Sequence, residues 1–449
     1  MSRAYLYRIL AMAGLAAMSA TTQYAADIRR LTLTDAVHLA INQNRALKIA
    51  RLKVTENEHR KAGEHSGYFP TMTNESSVRH FTELQIVTVP AGAFGMVAGT
   101  LVPSQGVTLL QGELTLEASA TIVAQPLTQL IRIHAANRMA AAEVAISRED
   151  LKKAENQVAV QVHELYFGIL IYRLQKQAAE QQSNYSGEQL RESEEDIRNG
   201  SALKIAAIQG SASLLESRQA VITAELQIAD FTTELNDLLG LPLDTALDLD
   251  PAVPAKVDQR PREEYAQVAW SIHPEILAAE EAVRKARAGV TVAKSAYIPD
   301  ITAYARHTYQ NGVPFFVRNF GSFGLTMTWE VFDFGKRQAA LREREAELAE
   351  AEENLKRLKD EVAVGIERSY NKLERTRTLV QVASEVVRLR QEAERLAGNQ
   401  LTQGVVLVSE RRQAIAATYK AEAEYLQAKL GHLLAWAELE QAVGRTPGF

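Results

Sequence analysis

The sequence predicts a mostly α-helical fold with an amphipathic β part, built as two copies of one unit in which long coiled-coil helices flank a β-hairpin. Three observations carry this reading. Glycine and proline are sparse, 24 and 12 of 449 residues, while Ala, Glu, Leu, Arg and Gln dominate, a composition of long helices. Phe323, Leu325, Met327, Trp329 and Val331 alternate with Ser322, Thr326, Thr328 and Glu330, giving a strand with one apolar and one polar face. Finally, the chain repeats itself: Ser66-x-Tyr68-x-Pro70 returns as Ser295-x-Tyr297-x-Pro299, with Ala40, Leu47 and Val54 falling on Ala269, Ile276 and Val283. At a shorter offset, Tyr166, Gly200 and Gly240 return as Tyr370, Gly404 and Gly444. The shortfall falls between the repeated proline and the long helix, so copy one has the longer hairpin loop.

In chain order, the first residues read as an export signal. Arg3 and Arg8 precede an apolar run from Ile9 to Met18, and Ser19 to Ala26 form a small, polar exit. Ala17-Met18-Ser19 is the best cleavage match, with Ala25 or Ala26 as alternatives. The run is shorter than the about 20 apolar residues of a membrane-spanning helix. No later segment reaches that length, so membrane insertion must use strands. Residues 1–26 are thus the signal, 27–245 the first repeat, 246–261 a linker and 262–449 the second repeat. Pro242, Pro251, Pro254 and Pro261 mark the connection between the copies.

Within copy one the pattern gives a helix from Leu33 to Ser66, a poorly alternating strand from Thr71 to Leu84, and a loop from Val89 to Gly106. The return strand sets Leu114, Leu116, Ala118, Ala120, Ile122 and Ala124 against Glu113, Thr115, Glu117, Ser119 and Thr121. A long helix from Leu127 to Asn199, a turn at Gly200 and a return helix from Ala202 to Leu239 follow. In copy two, a helix from Arg262 to Ser295 precedes a strand in which Ile301, Ala303 and Ala305 alternate with Thr302, Tyr304 and Arg306. Asn311-Gly312-Val313-Pro314 is a turn signal before the second strand. The helix from Gly335 to Gln403 has Leu341, Leu348, Leu355 and Val362 at heptad spacing, then Ile366, Leu373, Val380 and Val387. Gly404 turns it into a return helix from Val406 to Val443. The two shorter helices of each copy together match the long one, predicting a rod of two helical columns with strands at one end and a helical turn at the other.

Composition excludes several functions. A net charge of −5 gives no basic footprint for nucleic acid. The lack of cysteine removes disulfides, thiolate metal sites, a cysteine nucleophile and an acylated N-terminal Cys. His163-Glu164 opens like a zinc-protease motif, but Phe167 stands where the second histidine belongs. His59 and His65 beside Glu58 and Glu64 are a poor bite for one metal. With no phosphate loop or nucleophile elbow, the reading is a non-enzyme without cofactor or metal. The charge run from Lys336 to Glu361 is the wet face of a coiled coil. Phe315, Phe316, Phe320, Trp329, Phe332 and Phe334 are either core or an aromatic girdle at a lipid interface.

Four strands cannot close a barrel, which takes about eight or more, and open sheet edges are forbidden in lipid because their backbone groups go unpaired. Several subunits must therefore share one barrel, with Leu114, Leu116, Ile122, Phe323, Leu325, Met327, Trp329 and Val331 facing lipid. The whole describes a conduit through an outer membrane into the periplasm. A soluble coiled-coil scaffold without a pore is the alternative.

The chain resembles the TolC-type outer-membrane efflux factors from about residue 30 to 445. The likeness rests on Leu31-Thr32-Leu33-Thr34-Asp35-Ala36-Val37-x-x-Ala40, both Tyr-x-Pro motifs, Trp329-x-Val331-Phe332-Asp333-x-Gly335 and the glycine-marked helical turns. The resemblance implies a homotrimer in the outer membrane of a Gram-negative bacterium, with a twelve-stranded β-barrel on a tunnel of helices. It further implies docking to a periplasmic adaptor (membrane fusion) protein and an inner-membrane transporter. Gly200, Ser201 and Leu203, with Gly404, Val405 and Leu407, would form the adaptor-docking tip. The family places an acidic residue six positions beyond the turn glycine, at the periplasmic entrance; here that is Glu410, whereas copy one has Ala206. Glu410 either lines that entrance or pairs locally with Arg411, Arg412 or a neighbouring helix.

Overall fold

The computed structural model describes residues 29–84, 86–110, 112–252, 260–313 and 316–447. The export signal read at 1–26, Pro254 of the linker, and Pro314 and Phe315 of the second hairpin lie outside the described residues. After a short strand β1 (Arg29–Leu31), the Thr32 hydroxyl accepts the Asp35 N–H at 3.2 Å and starts helix α1 (Leu33–Gln43). Leu33, Ala36, Val37 and Ala40 are its buried stripe.

The helix predicted from Leu33 to Ser66 is two helices. The Asn44 side chain accepts the N–H groups of Ala46 (2.9 Å) and Leu47 (3.2 Å) and so begins α2 (Arg45–Ser66). In copy two the break falls at the equivalent place, between α5 (Arg262–Ile272) and α6 (Pro274–Ser295). There proline occupies the first helical position, where its missing N–H costs nothing. Pro274 was the sequence signal for this break.

Strands β2 (Thr71–His80), β3 (Ile86–Val89), β4 (Met96–Val97), β5 (Thr100–Leu101), β6 (Val107–Leu110) and β7 (Thr115–Pro126) come between α2 and the long helix α3 (Leu130–Arg198). Helix α4 (Lys204–Leu239) and strand β8 (Leu247–Leu249) complete the first half. The second half continues from α6 into β9 (Asp300–Asn311), β10 (Asn319–Thr328), a second long helix α7 (Lys336–Thr402) and α8 (Val408–Val443). The segment predicted as a plain loop from Val89 to Gly106 contains strand pairing of its own, β4 with β5, and β3 pairs with β6 around it.

The chain packs as two compact units, one drawn from 1–52, 149–277 and 358–449, the other from 53–148 and 278–357. Each draws on both sequence copies, so the repeat is not the unit of packing. In the first unit, Tyr166, Phe167, Ile169, Leu235, Leu239 and Leu249 are fully or almost fully buried in one core. Here β1 pairs in parallel with β8, which lies in the stretch read as linker. The Tyr166 hydroxyl lies 3.0 Å from the Leu31 carbonyl and 2.8 Å from that of Asp250, donating across the end of this pair. Burial pushes its pKa up to about 12.

Both return helices end on glycines in the left-handed region, Gly240 at φ +68° and Gly444 at φ +98°. A Cβ on Gly240 would lie 3.1 Å from the Gln43 carbonyl oxygen, and one on Gly444 would lie 2.6 Å from the His273 Cα. Each return helix therefore meets the N-terminal helix pair of its copy at the break, not at its start. Only glycine fits that approach.

The second unit holds a four-stranded antiparallel sheet in the order β10-β9-β7-β2. The weakly patterned strand from Thr71 is real but ends at His80. Among the residues read as lipid-facing, Leu114 precedes β7, although its carbonyl still accepts the Phe81 N–H at 2.8 Å. Trp329 and Val331 follow the end of β10 at Thr328, so they are not strand residues. Their alternation continues past the strand because the chain is leaving the sheet toward the helix start at Lys336.

Candidate functional site: two sheet faces and two helical turns

Side chains of directly paired residues in adjacent strands lie on the same face, so the register sorts the whole sheet. Phe323 pairs with Ala305 and Leu325 with Ala303; Val123 pairs with both Ala305 and Met72. Phe323, Leu325 and Met327 thus share a face with Ile301, Ala303, Ala305, Val123 and Met72. Ile122 pairs with Arg306 and Leu116 with Arg79, while Arg306 pairs with Ser322. Leu116 and Ile122 therefore lie on the opposite face from Phe323, Leu325 and Met327, among Arg79, Glu75, Arg306, Gln310, Ser322 and Thr326. The two sets cannot both face lipid. Alternation within each strand gave the right period, but only pairing between strands says which parity of β7 matches which parity of β10.

Exposure separates edge from centre: Phe323 is 90% exposed and Leu325 69% on the edge strand β10, where both faces are open, whereas Ala120 and Thr308 of the central strands β7 and β9 are buried. The first face also has a polar side: Asn74 donates to Ser119 (3.1 Å) and Thr121 (2.8 Å), and the Ser76 and Ser119 hydroxyls lie 2.9 Å apart.

Where the last strand passes into α7, the Asp333 carboxylate accepts the N–H groups of Gly335 (3.1 Å) and Arg337 (2.9 Å), as well as the Arg337 Nε at 2.7 Å. The hydrogen bonds from Arg337 hold its carboxyl below the usual aspartate range. The guanidinium of Arg337 stands 5.3 Å above the ring of Tyr297, from the second Tyr-x-Pro. In copy one the Tyr68 hydroxyl meets His134 Nδ1 at 3.1 Å. The repeated tyrosine thus anchors the strand-to-helix joint in both copies, each time against a residue of its following long helix.

The helical turns at Gly200 and Gly404 have one geometry. Gly200 donates to Ile197 O (3.1 Å) and Ser201 to Asp196 O (2.9 Å); Gly404 donates to Leu401 O (3.0 Å) and Val405 to Gln400 O (2.9 Å). Both glycines have positive φ, +77° and +69°. These are Schellman turns, which close the last carbonyls of the long helices. Leu203, Val405 and Leu407 are mostly exposed beside them.

Glu410 makes its hydrogen bond to its own turn: its Oε2 accepts the Leu407 N–H at 3.4 Å, capping the start of α8. Sequence reasoning missed Glu192 of α3, whose Oε1 accepts the Ser409 N–H at 3.0 Å. Two carboxylates thus sit at the positive end of α8. No local pattern pointed to Glu192, because it acts across 217 residues of sequence.

Among the residues discounted as ligands, His163 is fully buried with Nδ1 2.7 Å from the Ala159 carbonyl, and burial lowers its pKa. Glu58 pairs with Arg148 at 2.6 Å. Among the described residues no cluster has the makings of a metal site, and no helix is long and apolar enough to cross a membrane.

Residues 266–445 match the family described as Outer membrane efflux protein. No curated protein matches the chain. Among solved structures, the Campylobacter jejuni CmeC outer membrane channel is similar at a TM-score of 0.75 and 14% identity, over 92% of this chain and 85% of that one. The Vibrio cholerae outer membrane protein VceC gives 0.71 and 14%, over 92% and 96%. The Neisseria gonorrhoeae MtrE outer membrane channel in its open state gives 0.67 and 17%, over 92% and 89%.

Proposed function

We propose that the chain, whose residues 266–445 match the outer membrane efflux protein family, is a TolC-type outer-membrane efflux factor whose parts serve a tripartite export system. It is the outer-membrane channel of that system. Three copies share one barrel, β2 of each pairing with β10 of the next, because these are the free edges of the sheet and lipid tolerates none. The face with Phe323, Leu325 and Met327 turns to lipid. The face with Glu75, Arg79 and Arg306 lines the water-filled lumen, and Leu116 and Ile122 go with it. The distribution of charge carries this assignment: of Asp, Glu, Lys and Arg, the first face holds Glu117 alone, near the start of β7, against Glu75, Arg79 and Arg306 on the second.

The turns at Gly200, Ser201 and Leu203 and at Gly404, Val405 and Leu407 dock on a periplasmic adaptor, their exposed apolar side chains supplying the contact. The adaptor links the duct to an inner-membrane transporter that drives export. Glu410 lines the periplasmic entrance, giving three carboxylates per trimer, which favour cations. No residue is assigned a catalytic role. The test is single-channel conductance of the detergent-purified oligomer in a planar bilayer, wild type against Glu410→Gln. Cation-selective channels whose selectivity falls in the variant support the duct and its entrance. Unchanged selectivity leaves Glu410 as a helix cap, and a water-soluble protein without channels refutes the duct.

A further inference from the structure

From Leu84 to Gly112 the sequence carries no Asp, Glu, Lys, Arg or His, although Glu83 and Glu113 flank it. Its described residues from 86 to 110 form paired strands. β3 and β6 place Val87 opposite Leu109 and Val89 opposite Val107. Beyond them, β4 and β5 are joined by Ala98 and Gly99, both at positive φ (+51° and +81°), the two-residue turn that fits hairpin twist. Phe94 donates to the Val102 carbonyl, Val102 to that of Gly95 and Gly92 to that of Pro103, each at 2.9 Å. The result is a preformed ribbon whose end presents Phe94, Met96 and Val97, each about two-thirds or more exposed.

A two-stranded ribbon is marginal alone in water, and an uncharged apolar surface of this kind calls for a covering partner. Copy two needs only residues 312–318 between its strands, whereas copy one uses 81–114, so the ribbon is an addition to the barrel's needs. Lipid is not the cover. The sheet strands, of 10 to 12 residues, already have the about 9–11 residues that cross the hydrocarbon layer. The ribbon extends the β2–β7 hairpin away from the ends that join helices α2 and α3, which puts it on the side away from the periplasm. Because β2 is the strand that closes the barrel against the next copy, the ribbon stands at the boundary between copies.

We propose that the uncharged ribbons of three copies of this chain pack on one another over the outer mouth of the shared barrel and narrow it with an apolar constriction. This rests on the reading of a three-copy barrel. The chain lacks cysteine, so Phe94→Cys supplies a single thiol at the ribbon's end. Mild oxidation should yield disulfide-linked dimers of the purified oligomer and lower its conductance, with recovery on reduction. The combined variant Phe94→Ser, Met96→Ser, Val97→Ser changes only exposed side chains, and should raise single-channel conductance by about twofold or more as the dewetted constriction is lost.

Three results would overturn the proposal. One is a Phe94→Cys variant whose thiol forms no dimers and reacts with a water-soluble maleimide as fast as free cysteine. Another is a bimane probe at position 94 quenched by brominated phospholipid, which would make lipid the cover. The third is unchanged conductance in the triple-serine variant. Wild-type protein without channels would instead bring down the barrel reading itself.

Discussion

Replacing Leu325 by arginine tests the assignment of the sheet faces most directly. Leu325 lies well inside β10 opposite Ala303, and its side chain is 69% exposed; on the proposed face assignment, lipid surrounds it in the trimer. Arginine near the bilayer midplane costs about 2–4 kcal/mol per copy, or about 6–12 kcal/mol per trimer. At about 1.4 kcal/mol per decade, even the lower figure disfavours assembly by about ten-thousandfold. The control is its neighbour. Thr326 pairs with Thr302 on the face that already holds Arg306 and Arg79, so Thr326→Arg puts the new charge in lumen water and should cost close to nothing. The assay is the fraction of heat-labile oligomer in the outer-membrane fraction, on unboiled gels at matched expression. Leu325→Arg should lose the oligomer and Thr326→Arg keep it with a shift toward anion selectivity. The reverse result would refute the face assignment and the register argument beneath it.

Other expectations follow from single groups. Glu192→Gln removes a charge from the N-terminus of α8 while leaving an acceptor for the Ser409 N–H, and should cost about 0.3–1 kcal/mol locally; faster hydrogen exchange at Ser409 is the readout. Tyr166→Phe should cost about 1 kcal/mol in urea unfolding, since the Leu31 carbonyl keeps the Asp250 N–H at 3.1 Å while the Asp250 carbonyl loses the hydroxyl. The Asp333 carboxyl titrates below the ordinary aspartate value of 3.8, so its stabilising effect is present above that pH and is lost as pH falls through its lowered value. Asp333→Asn should therefore melt at a lower temperature than wild type near pH 7, and the two melting curves should converge in acid.

The sequence by itself determined the long helices, the four strands of the main sheet and the glycine turns, because each depends on neighbours within a few residues, whereas the short strands β1, β3 to β6 and β8 went unread. Heptad leucines such as Leu341 and Leu348, period-two runs such as Phe323 to Met327, and the glycines at 200, 240, 404 and 444 each encode a local geometry. The repeat then fixed the order of those elements. Even the missed breaks at Asn44 and Pro274 had local signals, a side-chain cap and a proline at the first helical position. What only the tertiary structure decided were relations between distant segments. Alternation says that a strand has two faces, but the face of β7 that goes with Phe323 depends on the pairing of β7 with β9 and of β9 with β10. Likewise Glu192 reaches the start of α8 because two helices pack side by side, a contact with no imprint on either local sequence. Pairing and packing energies belong to pairs of segments, and a pattern along one segment carries only its own half of each pair.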